Sequence, residues 1–338
     1  MARPVIAVTM GCPAGVGPEI VAMASQEIKN ARLLAVGDEA TLRRAAKLRN
    51  VAARRIVPVT QIESVATLRV GQLGIWMPST KLSKPPPFGR PRREDGRAQL
   101  AWIEEGARLV QAGIASALVT APVSKGAIAR SGLQRARHFI GHTEHLAKLL
   151  GARETVMAFT GASITTALVT THIAIRDVPH QITKARVSTT TYWLARLLHA
   201  LGKRSPHLAV ASLNPHAGEG GLFGVEERTK ILPGIKLASA RLARDGIQAR
   251  VVGPIGAETA FRKAAHGEYD GVVALYHDQA TIPTKLIGFG ETVNVTLGLP
   301  IVRTSVDHGT AYDIAGTGKA DARGLVHAIE LARRLTRH

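Results

Sequence analysis

Short apolar runs alternate with helical repeats along this chain, and that alternation limits the fold more than any single motif does. Pro4 to Met10, Leu33 to Gly37, Ala117 to Thr120, Ile164 to Val169, Leu208 to Ser212, Arg250 to Val252 and Val272 to Leu275 read as buried strands. Helical spacing intervenes over about Glu39 to Leu48, Arg97 to Ala112, Gly141 to Leu150 and Thr183 to Leu201. In the second of these, Leu100, Ile103, Ala107 and Val110 fall on one face. Strand, helix, strand in succession implies a parallel sheet, and ligands of such sheets collect beyond the C-terminal strand ends. At 338 residues the chain exceeds the ~250–300 at which a single core stops growing, so two lobes are expected.

Composition narrows the function classes. Apolar residues at 45% and charged residues at 20% describe a globular chain, and no apolar run approaches the roughly 18 residues of a membrane helix. Aromatic content of 4% leaves little for a stacking platform on single-stranded nucleic acid. A formal net charge of +19 invites a nucleic-acid partner, yet the arginines are scattered over helical segments, as at Arg43, Arg44, Arg241, Arg244, Arg333 and Arg334. With no accompanying nucleic-acid motif, neither nucleic acid nor membrane is an expected partner. The charge fits a compositional bias of the host or long-range steering of anionic ligands. One cysteine, Cys12, excludes an intramolecular disulfide and a cysteine metal cluster. The start MARPVIAVTM enters a strand directly, without a charged segment and cleavable apolar run, so a cytoplasmic location is expected. Ser79 to Arg97, with Pro85-Pro86-Pro87, reads as an extended connector.

The densest chemistry lies between Gly271 and Gly316, where His277-Asp278, Lys285, Asn294, Arg303, Asp307-His308 and Asp313 follow a strand. A loop that only turns needs glycine and asparagine; three kinds of cation suit an anionic substrate. His172, His216 and His277 each sit at or just beyond a predicted strand end, so a parallel sheet brings them to one edge. Three imidazoles with an open position suit a catalytic divalent ion. None has the close spacing of a helical metal motif, and scattered histidines are commonly not ligands, so both readings stand. The glycine-rich run Gly11 to Glu19 is either a tight strand-to-helix turn or an anion site at a helix start. Lys125 either touches a ligand or begins a helix. His142 and Thr143 open a helix, where they bind a phosphate or merely cap.

These residues occur in longer runs: TMGCPAGVGPE at Thr9 to Glu19, GHTEHLA at Gly141 to Ala147, VTTHIAIRDVP at Val169 to Pro179 and LNPHAGEGGLFGVEE at Leu213 to Glu227. YHDQ at Tyr276 to Gln279 and VNVTLGLPIVRTSVDHGTAYDIAGTGKAD at Val293 to Asp321 complete the set. Over essentially the whole chain they resemble the 4-hydroxythreonine-4-phosphate dehydrogenase family of vitamin B6 synthesis, with its close paralogues. The resemblance implies a two-lobed α/β/α fold of the isocitrate and isopropylmalate dehydrogenase type. Its lobes would be approximately 1–135 with 290–338, and 136–289, around a cleft. It also implies a homodimer whose active site is shared at the interface. His172, His216 and His277 match the metal positions, for Zn, Mg, Co or Mn. His142, Thr143, Lys285, Asn294 and Arg303 match substrate positions. Asn294, Leu297, Gly298 and Asp307 fall in the region similar to the family's dinucleotide site, for NAD or else NADP. Asp278, Lys285 and Glu258 are the implied catalytic residues. The implied reaction oxidises 4-phosphohydroxy-L-threonine to a 2-amino-3-oxo acid, which then decarboxylates.

Three positions depart from the family pattern. Cys12 stands where TMGDPAG has Asp, Gly256-Ala257-Glu258-Thr259 replaces PADT, and Ala280 replaces the Gly after YHDQ. The first two put an aminated substrate in question, which makes 4-phospho-D-threonate and 4-phospho-D-erythronate rivals. A non-catalytic anion-binding protein on the same fold is the alternative of another class, and the intact histidine set argues against it.

Overall fold

Parallel strands joined by helices account for most of the chain. The computed structural model describes residues 3–80, 82–161, 163–288 and 290–336. Its contacts divide the chain into two units, Met1–Arg153 with Leu299–His338, and Glu154–Gly298. The first unit begins β1 (Val5–Thr9), α1 (Gly17–Glu27), β2 (Arg32–Val36), α2 (Glu39–Leu48), β3 (Ile56–Pro58) and β4 (Leu73–Trp76). It continues with α3 (Arg93–Gln111), β5 (Ala117–Thr120), α4 (Lys125–Ala129) and α5 (His142–Leu150). The second unit opens with β6 (Val156–Thr160), β7 (Thr165–Leu168), α6 (Val178–Gln181), α7 (Lys184–Ala200) and β8 (His207–Ala211). Next come α8 (Leu232–Arg244), β9 (Arg250–Ile255), α9 (Ala257–Ala265), β10 (Gly271–Ala274), α10 (His277–Gly288) and β11 (Val293–Leu297). β12 (Arg303–Val306) and α11 (Arg323–Leu335) return the chain to the first unit.

In the first unit the strand order is β3-β4-β2-β1-β5-β12, every pairing parallel. Ile6 of β1 lies opposite Leu33 and Ala117, and both neighbours are apolar because helices cover both faces of a parallel sheet. Trp102 and Ile103 of α3 and Ile20 of α1 complete this core. α3 starts ahead of the expected Arg97 because the Asp95 carboxylate accepts the backbone N–H of Arg92 at 2.5 Å and caps the first turn. The proline-rich connector is a strap. Gly89 N–H donates to the Ala14 carbonyl at 2.7 Å, and a Cβ on Gly316 would stand 2.3 Å from the Phe88 ring.

In the second unit the order is β11-β6-β7-β10-β8-β9. β6 runs antiparallel to both β7 and β11, while β7, β10, β8 and β9 are parallel. The alternation rule did not reveal β6, since it reaches β7 through a short connection with no helix. β9 continues past Val252 to Ile255; a register shift opposite Ala209 and Ala211 absorbs Gly253-Pro254, which an edge strand tolerates.

Candidate active site

Three adjacent strands of the second unit set out the histidines. Val272 of β10 is in register with Thr166 of β7 on one side and Ala209 of β8 on the other, so all three chains leave the sheet at one edge. His172, His277 and His216 follow those ends. Side chains tie the ends together: Thr170 Oγ1 donates to the Leu275 carbonyl at 2.7 Å. Buried Gln279 accepts the Leu275 N–H at 2.6 Å and donates to the Ser212 carbonyl at 2.8 Å. The His172 and His277 rings lie 5.5 Å apart between centroids. Asp278 Oδ1 is 2.6 Å from His277 Nδ1, and a carboxylate there keeps the proton on Nδ1 and leaves Nε2 for a ligand. His216 is carried on a left-handed turn beside Phe223, their rings 6.4 Å apart. Among the described residues no group of three or more His, Cys, Asp or Glu is gathered to hold a metal. Two neighbouring imidazoles, His172 and His277, are what is brought together of the three histidines expected from the sequence, and His216 is not gathered with them.

Lys285 follows Asp278 by two helical turns on α10, which puts both on one face. Asn294 of β11 lies opposite Phe159, and its buried Oδ1 has no hydrogen-bond donor, an acceptor left for a ligand. Leu297 is buried. Gly298 is glycine for packing: φ is +84°, and a Cβ would stand 2.1 Å from the Glu154 carbonyl.

The first unit gathers a cationic cluster. Arg303 opens β12 beside β5, is 4% exposed, and donates to Thr120 Oγ1 at 2.6 Å. Burial lowers its guanidinium to about 10, against the pull of the Glu144 carboxylate. His142 and Thr143 form the first turn of α5, and Lys125, the first residue of α4, brings Nζ within 3.9 Å of where a Cβ on Gly141 would stand. Desolvation, then the charges of Arg303, His145 and Lys125, hold the His142 imidazole well below its ordinary value, so it is neutral at pH 7. The residue as a whole is half-buried, but its Nε2 is enclosed and has no partner. Phe139 packs against His142 and His145, and Glu104 fixes His145 at 3.3 Å and Arg135 at 3.0 Å. Cations, a helix start and an unmet imidazole nitrogen in a dehydrated cluster suit a phosphate monoester. Asp307 stands half-buried just past β12.

A family model described as pyridoxal phosphate biosynthetic protein PdxA matches residues 29–332. The chain belongs to the PdxA family. It is 45% identical over 338 residues to 4-hydroxythreonine-4-phosphate dehydrogenase of Geobacter metallireducens, covering 99% of this chain and 96% of that relative. It is 39% identical over 337 residues to D-threonate 4-phosphate dehydrogenase of Salmonella typhimurium, covering 98% of each. The crystal structure of 4-hydroxythreonine-4-phosphate dehydrogenase from Klebsiella pneumoniae is similar at a TM-score of 0.84 and 35% identity, over 99% of this chain and 100% of that one. This PdxA-family chain is therefore an oxidoreductase of the dehydrogenase type on a mixed α/β fold.

The departures from the PdxA pattern fall in quiet places. Cys12 is fully buried with Sγ 3.3 Å from the Tyr312 hydroxyl; burial raises the thiol and carries Tyr312 to about 12. The glycine-rich turn around it is a packing device, since a Cβ on Gly17 would stand 2.1 Å from the Met10 carbonyl. Ala280 is buried on α10. Glu258 is exposed in the first turn of α9, where Arg262 holds it at 2.7 Å and Thr259 at 3.0 Å. Among the described residues no helix is long and apolar enough to cross a membrane. Thr170, Gln279 and Glu227, which brace the histidine edge, carry no signal in the sequence beyond their place in the family runs.

Proposed function

We propose that this chain oxidises the secondary alcohol of 4-phosphohydroxy-L-threonine with NAD, giving a 2-amino-3-oxo acid that then loses CO2. The observation that carries the reading is the His172–His277 pair, rings 5.5 Å apart with Asp278 on Nδ1. His172, His216 and His277 would hold a divalent ion; imidazole donors favour Zn or Co, and the substrate's oxygens also accept Mg or Mn. When bound, such an ion polarises the alcohol and carboxylate oxygens as a Lewis acid. NAD, where bound, would supply the hydride acceptor. Asp278 keeps the His277 ring in one tautomer and one orientation. Lys285, on the same helical face, is the group proposed to take the hydroxyl proton. Arg303, Lys125, His142 and Thr143 hold the phosphate, which orients the alcohol without reacting. Asn294 and Asp307 contact NAD, and Leu297 and Gly298 shape the strand end beside Asn294.

A second copy of the chain is part of the proposal. α10 leaves Ile282 65% and Leu286 84% exposed, and Leu222 and Phe223 project from the His216 turn. Large apolar side chains in such positions mark a surface meant to be covered. A homodimer sharing its site at this face accounts for them. The 4-phospho-D-threonate reading is kept by one observation, a relative named D-threonate 4-phosphate dehydrogenase at 39% identity, against 45% for the 4-hydroxythreonine-4-phosphate dehydrogenase above. Formation of NADH from the two substrates, before and after chelation, separates the readings. Activity lost on chelation and restored by a divalent ion is expected, with the aminated substrate preferred. Preference for 4-phospho-D-threonate would move the substrate assignment, and full activity after exhaustive chelation would end the metal reading.

A further inference from the structure

The turn that carries His216 is strained. His216, Ala217, Gly218, Glu219 and Gly220 have φ of 50°, 54°, 82°, 41° and 64° in succession, and three of them bear side chains that disfavour the left-handed region. Such a backbone persists only where its surroundings hold it. Two carboxylates hold the approach to it: Glu226 Oε2 accepts Asn214 Nδ2 at 2.9 Å, and Glu227 alone also takes up backbone N–H groups of that approach. Glu227 Oε1 accepts the backbone N–H groups of Leu213 at 2.9 Å and Asn214 at 2.8 Å, just ahead of the turn. Glu227 Oε2 accepts Asn214 Nδ2 at 2.9 Å. A Cβ on Gly218 would stand 2.9 Å from that same Oε2, so the carboxylate lies directly against the middle of the turn. Glu227 is 6% exposed and opens the π-helical turn Glu227–Ile231 ahead of α8, a geometry frequent at functional sites.

We propose that Glu227 is a positioning residue for His216: its buried carboxylate sets the left-handed turn and through it the direction of the imidazole. The proposal rests on the metal reading of His216 given above. His172 and His277 depend on other braces, Thr170 and Gln279, so loss of Glu227 withdraws one ligand and leaves the pair in place. A neutral amide at 227 keeps the volume but turns a donor toward Asn214 Nδ2, which breaks the hold from the Oε2 side.

The test titrates Co2+ into the full-length metal-free protein and follows its d–d absorption, for wild type, Glu227→Gln, Gly218→Ala and His216→Ala. Thermal unfolding of each metal-free variant reports whether it is folded. Glu227→Gln is expected to bind Co2+ about 10- to 100-fold more weakly, the range typical for loss of a group that orients a metal ligand. Its absorption band should move toward that of His216→Ala. Gly218→Ala, whose methyl meets the same oxygen, should shift affinity and band in the same direction, and it decides the matter if Glu227→Gln does not fold. Wild-type affinity and band in both, with His216→Ala impaired, would overturn the role of Glu227 and leave the metal reading standing. Wild-type Co2+ binding by His216→Ala would remove both.

Discussion

Arg303 is 4% exposed and His142 has its Nε2 enclosed, whereas the His277 side chain is 38% exposed and His172 and His216 stand at the surface. The first unit has its cationic cluster assembled and dehydrated within one chain. The second presents histidines on an open edge, braced by Thr170 and Gln279. In a low dielectric, attraction to a dianion is strong and specific, and the desolvation cost is met when the chain folds. An open edge suits an ion and a partner that arrive later. Binding and chemistry are thus expected to fail separately, and mutations can show whether they do.

The largest effect belongs to the histidine edge. His277→Ala removes the ring that stands between the ends of β7 and β8, and with it several kcal/mol of charge stabilisation, so kcat should fall by about 10^3-fold or more. Initial rates at saturating substrate check this, and a KM effect alone would join the edge to the binding region. Arg303→Met comes next. Losing a buried charged contact to phosphate costs about 2–5 kcal/mol, so kcat/KM should drop by about 30-fold to several thousand-fold, chiefly through KM. A change confined to kcat would break the division between the two regions.

The third expectation concerns pH. The folded His142 lies well below 6.5, so the native chain binds fewer protons than the unfolded chain under that pH. The stability this group contributes is full above about pH 6.5 and is lost as pH falls toward the folded value. Melting temperatures between pH 7 and pH 5 should decline in wild type and decline less in His142→Asn. Inorganic phosphate should oppose the decline, since an anion beside the imidazole favours its charged form. Parallel curves for the two proteins would place that imidazole in water.

What the sequence disclosed follows from which forces are local. Apolar runs at Ala117 to Thr120 and Val272 to Leu275 could only be buried strands, so the positions of Lys125 and His277 past their ends were readable. β6 was not, because an antiparallel neighbour breaks the alternation that exposed the rest. Cys12 looked like a lost ligand contact because nothing local announces that Tyr312, far along the chain, covers it. Glu227 was silent for a similar reason: its meaning comes from a strained turn that sequence patterns do not describe. Lys125, open between two readings, gains its weight only from Gly141 and His142 arriving beside it.

The smallest effect should come from Glu258, and it tests how far the active region extends. Its carboxylate is 74% exposed, and Arg262 one turn along α9 lowers its pKa, with Thr259 assisting. An exposed i,i+4 pair on a helix is worth little in water, because solvent screens it and two long side chains lose freedom to form it. Nothing in that arrangement aims the carboxylate at a proton. Glu258→Gln should therefore change kcat and KM less than about threefold, within the range of surface substitutions. The same variant separates two accounts of the departure from the family pattern at this loop. If the longer side chain is a surface feature, the preference between the aminated and the non-aminated substrate stays where it was. A tenfold loss of kcat, or a reversal of that preference, would mean that α9 turns its first residues toward the substrate in the working enzyme.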